Sequence, residues 1–367
     1  MAIGLCVALL SGVQTDAATV KSIVGVNSDV TGFVPIPSVF SSLCVAGCPQ
    51  GMMPSFTDPL RLWGRTGTSV GSCTTSVDGG STWAACTTQP FVGGTYQGRE
   101  MYMGTADGSV VVITFDTTPT CEIKKSIDNG ASWQTKFTFA DRCGGPFFEG
   151  VSGWCLVDGR CEFQSWHSSA TAVYAVFRSS NNGETWARGD TATDTGNQPA
   201  GSVWDGSIGM MPLTQTTVTG GAYSSPAGDA WSKGASAFTS FGDCWGAVIL
   251  SNVPYAMCAN GTVYTLRDRT GTTFKTPTFS PNPLFNVDSG GVSFAYSNSV
   301  IYTLVTLTGA GHMGLYISQD AGSSFAFVAD VATNGLRGGT MWKHPLNGCI
   351  YWDVTGGGSS KVGKACR

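Results

Sequence analysis

The feature that most constrains this chain is a short motif, Ser-x-Asp-x-Gly-x-x-Trp, which recurs along most of its length. Three copies resemble one another closely, at residues 76–83, 126–133 and 179–186. Weaker copies follow at residues 224–231, 267–274 and 318–325. Successive copies lie 43 to 53 residues apart. A repeat of this period indicates a propeller, a solenoid or another array in which each unit packs on its neighbours.

Each residue type of the motif suits a tight turn. Ser and Asp side chains can hydrogen-bond the turn backbone, glycine adopts positive φ, and the terminal aromatic is a large apolar anchor. We therefore predict a structural role for the motif residues of four copies: Ser76, Asp78, Gly80, Trp83, Ser126, Asp128, Gly130, Trp133, Ser179, Asn181, Gly183, Trp186, Ser318, Asp320, Gly322 and Phe325.

The composition favours an all-β protein with many turns. Charged residues make up only 12% of the chain, and glycines number 50. This differs from the high charge and low hydrophobicity of disordered chains. The formal net charge is −4 and no basic run is present, so we predict no nucleic-acid partner.

A similar opening of small and apolar residues recurs seven times between residues 51 and 339, about 48 residues apart on average. That length accommodates a four-stranded blade, so we predict a seven-bladed β-propeller, with six blades as the alternative. The last unit stops after a strand pair. We expect an N-terminal strand to complete it and to cover its exposed edge. The predicted domains are an N-terminal arm with the closing strand, residues 1–50, and the propeller, residues 51–367.

Thirteen cysteines indicate an oxidising compartment. Four pairs are symmetric about predicted hairpin turns: Cys73 with Cys86, Cys155 with Cys161, Cys244 with Cys258, and Cys349 with Cys366. Cys44 with Cys48 and Cys121 with Cys143 are looser pairings, and buried free thiols are the alternative. No zinc-site spacing occurs, so no metal site is predicted from the cysteines. The odd cysteine is assigned to Cys6, which could be free or could link two chains.

Residues 1–13 are apolar, but no Lys or Arg precedes Lys21, so the positive start of a signal peptide is missing. The segment is too short to span a bilayer. We interpret it as a structural strand or arm, with a retained signal sequence as the alternative. The expected location is extracellular or on a virion surface, without a membrane span.

The motif resembles the Asp-box, or bacterial neuraminidase repeat, of sialidase-like β-propellers, and the resemblance covers about residues 51–367. It implies that each box lies on the turn between the third and fourth strands of a blade, away from the ligand face. Sialidases carry an Arg-Ile-Pro motif near the N-terminus, and the nearest segment here, residues 33–37, has Val34 in place of the arginine. Typical sialidase activity is therefore not expected.

Polar and charged residues at or before the predicted first strands would lie at the mouth of the central channel. The ligand-binding candidates are Arg99, Glu100, Glu149, Asp205, Asp243, Asp288, Arg337, Trp204 and Trp245. They could bind a cation, hold sugar hydroxyls, or supply a catalytic acid and base. The candidates for the acid and the base are Glu149 and Asp205. The alternatives are solvated residues at strand starts and aromatic side chains of the core. No cofactor is predicted apart from such a cation.

Three functions fit these observations. The first is a non-catalytic, disulfide-stabilised structural or binding module that attaches to a protein assembly or a surface glycan, for example in a phage particle. The second is a secreted glycoside hydrolase or lyase that uses the acidic mouth. The third is a receptor-type binding head. The sequence favours the first because no catalytic signature accompanies the fold motif.

Overall fold

The computed structural model describes residues 34–35, 49–66, 73–91, 101–114, 121–139, 148–167, 172–188, 193–194, 198–199, 203–204, 208–214, 222–224, 232–233, 243–260, 263–268, 270, 272–281, 292–295, 299–307, 312–332, 337–356 and 359–366. In parts of some strands only the main chain is described. These residues form strands, turns and bends, and none of them lies in a helix. This confirms the predicted all-β class.

The described strands form seven sheets, numbered here in chain order. The strands of the first three are, in sheet 1, β2 (Pro49–Pro54), β3 (Leu62–Thr66), β4 (Cys73–Ser76) and β5 (Ala84–Ala85); in sheet 2, β6 (Met101–Gly104), β7 (Val110–Thr114), β8 (Cys121–Ser126) and β9 (Gln134–Phe139); and in sheet 3, β10 (Phe148–Cys155), β11 (Cys161–His167), β12 (Ala172–Ser179), β13 (Ala187–Arg188) and β14 (Thr193–Asp194). Each sheet adds its main strands in sequence order, as a propeller blade requires.

The strands of the other four sheets are, in sheet 4, β15 (Gln198–Pro199), β16 (Val203–Trp204), β17 (Gly209–Thr214), β18 (Ala222–Ser224) and β19 (Ser232–Lys233); in sheet 5, β20 (Asp243–Leu250), β21 (Val253–Asn260), β22 (Val263–Asp268) and β23 (Thr273–Lys275); in sheet 6, β24 (Thr278–Ser280), β25 (Val292–Ala295), β26 (Ile301–Leu307), β27 (His312–Ser318) and β28 (Ser324–Ala332); and in sheet 7, β29 (Arg337–Lys343), β30 (Ile350–Gly356) and β31 (Ser359–Cys366), with β1 (Val34–Pro35) from the N-terminal region. The described pairs are antiparallel except β24 with β28, which is parallel.

The first strands of the sheets lie side by side around a ring. β2 contacts β6, β6 contacts β10, and β10 contacts β15 of sheet 4. The ring continues from β17 to β20, β25 and β29, and β29 contacts β2 again. The last sheet therefore packs on the first, as in a closed propeller. The seven sheets equal the predicted number of units, and the blade count of the whole chain stays a prediction.

Strand β1 completes sheet 7. Val34 pairs with Cys366 and Pro35 with Ala365, which adds an antiparallel fourth strand to β29, β30 and β31. This confirms that an N-terminal strand closes the last sheet. The pairing covers the C-terminal end of the β31 edge, which would otherwise present unpaired main-chain groups to other chains.

The core lies between neighbouring sheets. The second strand of sheet 2, Val110–Thr114, is buried at every position because sheets pack on both of its faces. One apolar cluster brings together sheets 7, 1, 2 and 3 and includes Trp342, Leu62, Met103 and Phe163. The inner strands approach so closely that Gly104 lies against the main chain of Pro54 and Ser55, where a Cβ atom would not fit.

Candidate functional site

Three charged candidates lie at the starts of first strands. Asp243 and Arg337 are the first residues of β20 and β29, and Glu149 is the second residue of β10. Trp245 is the third residue of β20, and Trp204 ends β16. For these five residues the main chain is described. The other predicted mouth residues, Arg99, Glu100, Asp205 and Asp288, lie outside the described residues.

Strand direction places these starts at one end of the ring. β10 runs into the turn at residues 156–160, β20 into the turn at 251–252, and β29 into the turn at 344–349. The first of these turns receives a hydrogen bond from the repeat turn of its own sheet, since Asn182 N donates to Gly159 O at 2.7 Å. The strand starts therefore lie at the end opposite the repeat turns. We call the two ends the strand-start end and the turn end.

A β-bulge recurs near the start of four first strands. In β10, Phe148 and Gly150 face consecutive residues of β11, so Glu149 is the extra residue. In β20, Cys244 and Gly246 face consecutive residues of β21, so Trp245 is the extra residue. β2 contains one residue more than its partner strand between Gln50 and Met53. β29 likewise contains one residue more than its partner between Gly338 and Met341. Bulges bend a strand and redirect side chains, and they are common beside functional sites.

The bulges were not predicted, although a signal for them exists in the sequence. Glycine in a strand interior often marks a bulge. Glycines open most of the seven units, and Gly150 and Gly246 directly follow the bulged residues Glu149 and Trp245. The openings of sheets 3 and 5 thus combine a glycine, a bulge and a charged or aromatic residue at the strand-start end.

The turn end is built from the repeat motif. In the first copy, Ser76 Oγ donates to Asp78 Oδ1 at 2.8 Å, and Thr82 N donates to the same oxygen at 2.9 Å. Thr82 Oγ1 donates to Asp78 Oδ2 at 2.6 Å, and Gly80 N donates to Ser76 Oγ at 2.8 Å. Equivalent hydrogen bonds from Ser132 and Ser324 hold Asp128 and Asp320. In the third copy Asn181 takes the place of the aspartate.

These hydrogen bonds keep the turn carboxylates ionised. Bonds from the Ser132 side chain and main chain and from Ser126 lower the pKa of Asp128 to about 2. Burial alone would raise the pKa of Asp78, but hydrogen bonds from Thr82 and Ser76 outweigh this effect and lower it. A carboxylate held in this way stabilises a turn and is unsuited to donating a proton near neutral pH.

Of the two weakest copies of the motif, one forms a turn with a different acceptor residue and the other lies almost wholly outside the described residues. In residues 267–274 the third motif position is Arg269, but the turn acceptor is the preceding residue. Asp268 Oδ1 accepts hydrogen bonds from Thr270 N at 2.8 Å and from Thr272 N at 3.1 Å. The copy at 224–231 lies outside the described residues except for Ser224, whose main chain ends β18.

A second turn recurs at the turn end, between the first and second strands, and the sequence predicted it only at the hairpin flanked by Cys155 and Cys161. The side-chain oxygen of an Asp or Asn accepts a hydrogen bond from the main-chain N–H two residues later. The examples among the described residues are Asp58 to Leu60, Asp107 to Ser109, Asp158 to Arg160 and Asn347 to Cys349, at 2.9 to 3.1 Å. Asp107, Asp158 and Asn347 are each followed by glycine, which would have signalled these turns.

Three disulfides lie near hairpins: Cys73–Cys86, Cys155–Cys161 and Cys244–Cys258, with Cα separations of 5.4, 4.0 and 3.9 Å. They are three of the four pairs expected from hairpin symmetry. Cys121 and Cys349 are also disulfide-bonded. The side chain of Cys366, and all of Cys6, Cys44, Cys48 and Cys143, lie outside the described part of the chain. Disulfides of this kind persist in oxidising compartments.

Two searches of the described residues bear on cofactors and membranes. No group of three or more His, Cys, Asp or Glu side chains among them is arranged to hold a metal ion. None of the described segments is a helix long and apolar enough to cross a bilayer. A cation at the strand-start end stays a prediction, because most of the residues concerned have undescribed side chains.

Comparisons with known proteins show which solved structures have a similar fold. No family model and no curated protein matches the sequence. The fold is similar to that of YCF48 bound to D1 peptide, with a TM-score of 0.59 at 14% identity, covering 92% of this chain and 96% of that chain. It also matches the α-L-arabinofuranosidase of Fusarium graminearum with arabinobiose (TM-score 0.49, 10% identity, 87% and 92% covered). Trypanosoma rangeli sialidase in complex with the inhibitor DANA gives a TM-score of 0.44 at 12% identity, covering 88% of this chain and 55% of the sialidase. The chain therefore has a β-propeller fold, and similar folds include enzymes and a peptide-bound protein.

Proposed function

We propose that this protein is a non-catalytic, disulfide-stabilised binding module of the Asp-box group that holds a protein partner at its strand-start end. It works outside the reducing cytosol, in an extracellular or virion-borne assembly. The observation that carries the proposal is the set of bulges in β2, β10, β20 and β29 at that end. A bulge leaves its extra residue unpaired in the ladder and redirects its side chain, which favours contact with a partner at that end.

The charge distribution supports this choice of end. The carboxylate oxygens of the described repeat-turn aspartates accept hydrogen bonds from N–H groups of their own turns. Glu149, Asp243 and Arg337 instead stand at the starts of β10, β20 and β29. Arg337 and Trp245 are of the residue types that most often anchor protein interfaces, and Glu149 and Asp243 add charge beside them. YCF48, whose fold is similar and which is bound to D1 peptide, is a precedent for a fold of this kind that holds a peptide.

The disulfides support a location outside the reducing cytosol. Cys155 and Cys161 lie directly opposite each other in paired strands, as do Cys244 and Cys258. Disulfide cross-links are rare in the reducing cytosol and frequent outside it. The assignment of residues 1–50 as an arm with a closing strand, and a chain-to-chain disulfide through Cys6, belong to the same proposal.

The test compares three single variants for binding. Purified protein is screened on a peptide array and on a glycan array, and a peptide ligand is expected. Glu149→Gln and Trp245→Ala should each weaken peptide binding by about tenfold, the cost expected of an interface anchor. Asp128→Asn, at the turn end, should leave it unchanged. A glycan ligand, or equal loss in all three variants, would contradict the proposal.

Catalysis is tested separately on a panel of polysaccharides that includes arabinan, xyloglucan and sialylated glycans. The proposal expects no product from the intact protein. Release of sugar that disappears in Glu149→Gln or Asp205→Asn would instead establish a glycoside hydrolase. Stoichiometric co-purification of the chain in a particle or filament would support its role in an assembly.

A further inference from the structure

Three exposed aliphatic side chains lie at the turn end where the last sheet meets the first. Leu60 is 48% exposed in the β2–β3 turn, Val77 is 55% exposed in the repeat turn of sheet 1, and Leu346 is 51% exposed in the β29–β30 turn. We call them the seam patch. Exposed apolar side chains that occur singly need no explanation, whereas a contiguous group indicates a contact surface.

Hydrogen bonds show that the three turns of the seam patch are neighbours. Asn347, next to Leu346, donates from Nδ2 to the carbonyl of Pro59, next to Leu60, at 2.7 Å. Gly79 N donates to Leu60 O at 2.8 Å, which joins the repeat turn that holds Val77 to the same site. Leu60 and Gly79 are also close through the leucine side chain, since a Cβ atom at Gly79 would lie 3.6 Å from Leu60 Cδ2.

The N-terminal part of the chain enters the fold at this same end. In sheet 7, Lys343 pairs with Ile350, Ile350 with Ala365, and Ala365 with Pro35. This row of pairs adjoins the β29–β30 turn that carries Leu346. Because β1 is antiparallel to β31, the residues that precede Val34 reach the sheet from the turn end.

We propose that residues 1–13 of the same chain pack on the seam patch. This segment, MAIGLCVALLSGV, contains no charged side chain, and the first charged residue of the chain is Asp16. Aliphatic side chains from such a segment would cover Leu60, Val77 and Leu346 and remove their apolar surface from water. The contact involves the end of the ring opposite Glu149 and Trp245, so it stands apart from the proposed function.

Chain length and charge are compatible with this contact. Residues 14–33 can span up to about 65 Å when extended. The distance across the four strands of sheet 7, from β1 to the turn that holds Leu346, is only about 15 Å. The carboxylates beside the patch belong to Asp58, paired with Arg61 at 3.4 Å, and to Asp78, held in its turn by Thr82. An uncharged apolar segment meets no repulsion from either group.

The experiment uses the full chain with a photo-reactive leucine analogue at Leu9. Illumination should cross-link residue 9 to peptides that contain Leu60, Val77 or Leu346, within single chains, as read by mass spectrometry. The double variant Leu60→Gln and Leu346→Gln should lower that yield by about tenfold, because it removes the apolar surface of two side chains. Val263→Gln is the matched control, because Val263 is 53% exposed at the start of β22, at the opposite end of the ring.

Three outcomes would overturn the proposal. Cross-links to the Val263 end, or cross-links that survive the double variant, would show that the segment packs elsewhere. Cross-links between two copies, detected with a mixture of isotope-labelled and unlabelled protein, would show that the patch receives another chain. Circular dichroism of every variant verifies that the sheets remain folded. If the double variant is unfolded, Val77→Thr provides the same comparison with a smaller change.

Discussion

Gly130 of the second repeat turn rests on the Cys73–Cys86 disulfide of the preceding sheet: a Cβ atom at Gly130 would lie 3.2 Å from Cys86 Sγ. The contact includes hydrogen bonds, because Thr88 N donates to Gly130 O at 3.1 Å and Trp133 Nε1 donates to Thr88 O at 2.9 Å. The repeat turn therefore links two sheets as well as two strands.

The same relationship occurs in the other described copies of the motif. Gly183 of sheet 3 lies on Val111 of sheet 2, and Gly322 of sheet 6 lies on Leu266 of sheet 5. Gly79 of sheet 1 lies beside Lys364 of sheet 7, the sheet that precedes it in the ring. Each of these turns thus contacts the preceding sheet, which gives the motif a role in ring closure beyond the hairpin itself.

The contact between Gly183 and Val111 predicts a large effect of a single methyl group. Gly183 has a φ of +74°, and a Cβ atom there would overlap the Val111 side chain. Gly183→Ala should lower the free energy of unfolding by about 3 kcal/mol, from backbone strain together with overpacking. Gly130→Ala, at a φ of +81° but with its nearest neighbour at 3.2 Å, should cost about 1 to 2 kcal/mol. Urea unfolding of both variants measures the difference.

A double-mutant cycle isolates the steric part of this prediction. Val111→Ala removes the side chain that a Cβ atom at residue 183 would overlap. Combined with Gly183→Ala, it should recover about 1 to 2 kcal/mol relative to the sum of the two single effects. Strict additivity of the two substitutions would mean that the glycine is required for its backbone conformation alone.

The third copy of the motif predicts how the first will respond to substitution. In that copy, Asn181 Oδ1 accepts from Thr185 N at 3.0 Å and Nδ2 donates to Thr185 Oγ1 at 3.0 Å. An amide therefore fits the turn. Asp78→Asn should cost less than half as much as Asp78→Ala, which leaves Thr82 N without its acceptor and should cost about 1 to 2 kcal/mol. Asn181→Asp is the reverse control and should be nearly neutral. Equal losses from Asp78→Asn and Asp78→Ala would contradict this account.

The motif predicted much of the fold because its residues act locally. Ser76, Asp78 and Thr82 hydrogen-bond within one turn, so their spacing marks that turn wherever it occurs. The period between copies then gave the repeated sheets, and the incomplete last unit gave the closing strand. Cysteines placed symmetrically about a hairpin were predictable for the same reason, since their separation along the chain determines their register.

What the sequence did not reveal depends on pairing across strands or between sheets. Glu149 and Trp245 are bulged residues only because of the register of β11 and β21. The shift of the turn acceptor to Asp268 preserves a hydrogen-bonding role while it breaks the sequence pattern. The seam patch joins Leu60 and Leu346, which are 286 positions apart in the chain and become neighbours only when the ring closes.

His344 at the seam predicts a pH dependence of stability. The side chain is fully buried, Leu346 N donates to its Nδ1 at 3.1 Å, and its ring lies 6.3 Å from that of Tyr351. Burial, together with the charge of Lys364, lowers the pKa of His344 from 6.5 to about 4, while the main chain and carboxylate of Asp58 oppose the shift. Between these pH values the unfolded chain binds a proton that the folded protein does not. The free energy of unfolding should therefore fall by about 3 kcal/mol as the pH drops from 6.5 to 4.

The variant His344→Asn tests this assignment. The asparagine oxygen can accept from Leu346 N, as in the other Asx turns of this end, but it does not titrate. Urea unfolding at pH 7, 5.5 and 4.5 should show a smaller pH dependence in the variant, whatever its stability at pH 7. The aspartates of the repeat turns contribute little between pH 7 and 4.5, because their lowered folded pKa values and the unfolded value of 3.8 all lie below this range. Their contribution is also the same in both proteins, so it cancels from the comparison. An unchanged pH dependence would assign the effect to another group.

The hairpin disulfides should contribute unequally to stability according to the loops that they close. Cys244 and Cys258 are 14 positions apart and Cys155 and Cys161 are 6 apart. If each cross-link acts by restricting the unfolded chain, replacing the first pair with alanines should cost about 3 kcal/mol and the second about 2 kcal/mol. Non-reducing peptide mapping verifies beforehand that both bonds are intact in the parent protein, and urea unfolding measures the two losses. A larger loss from the Cys155 and Cys161 pair would show that the bond stabilises the folded β10–β11 turn, at the turn end, more than it restricts the unfolded chain.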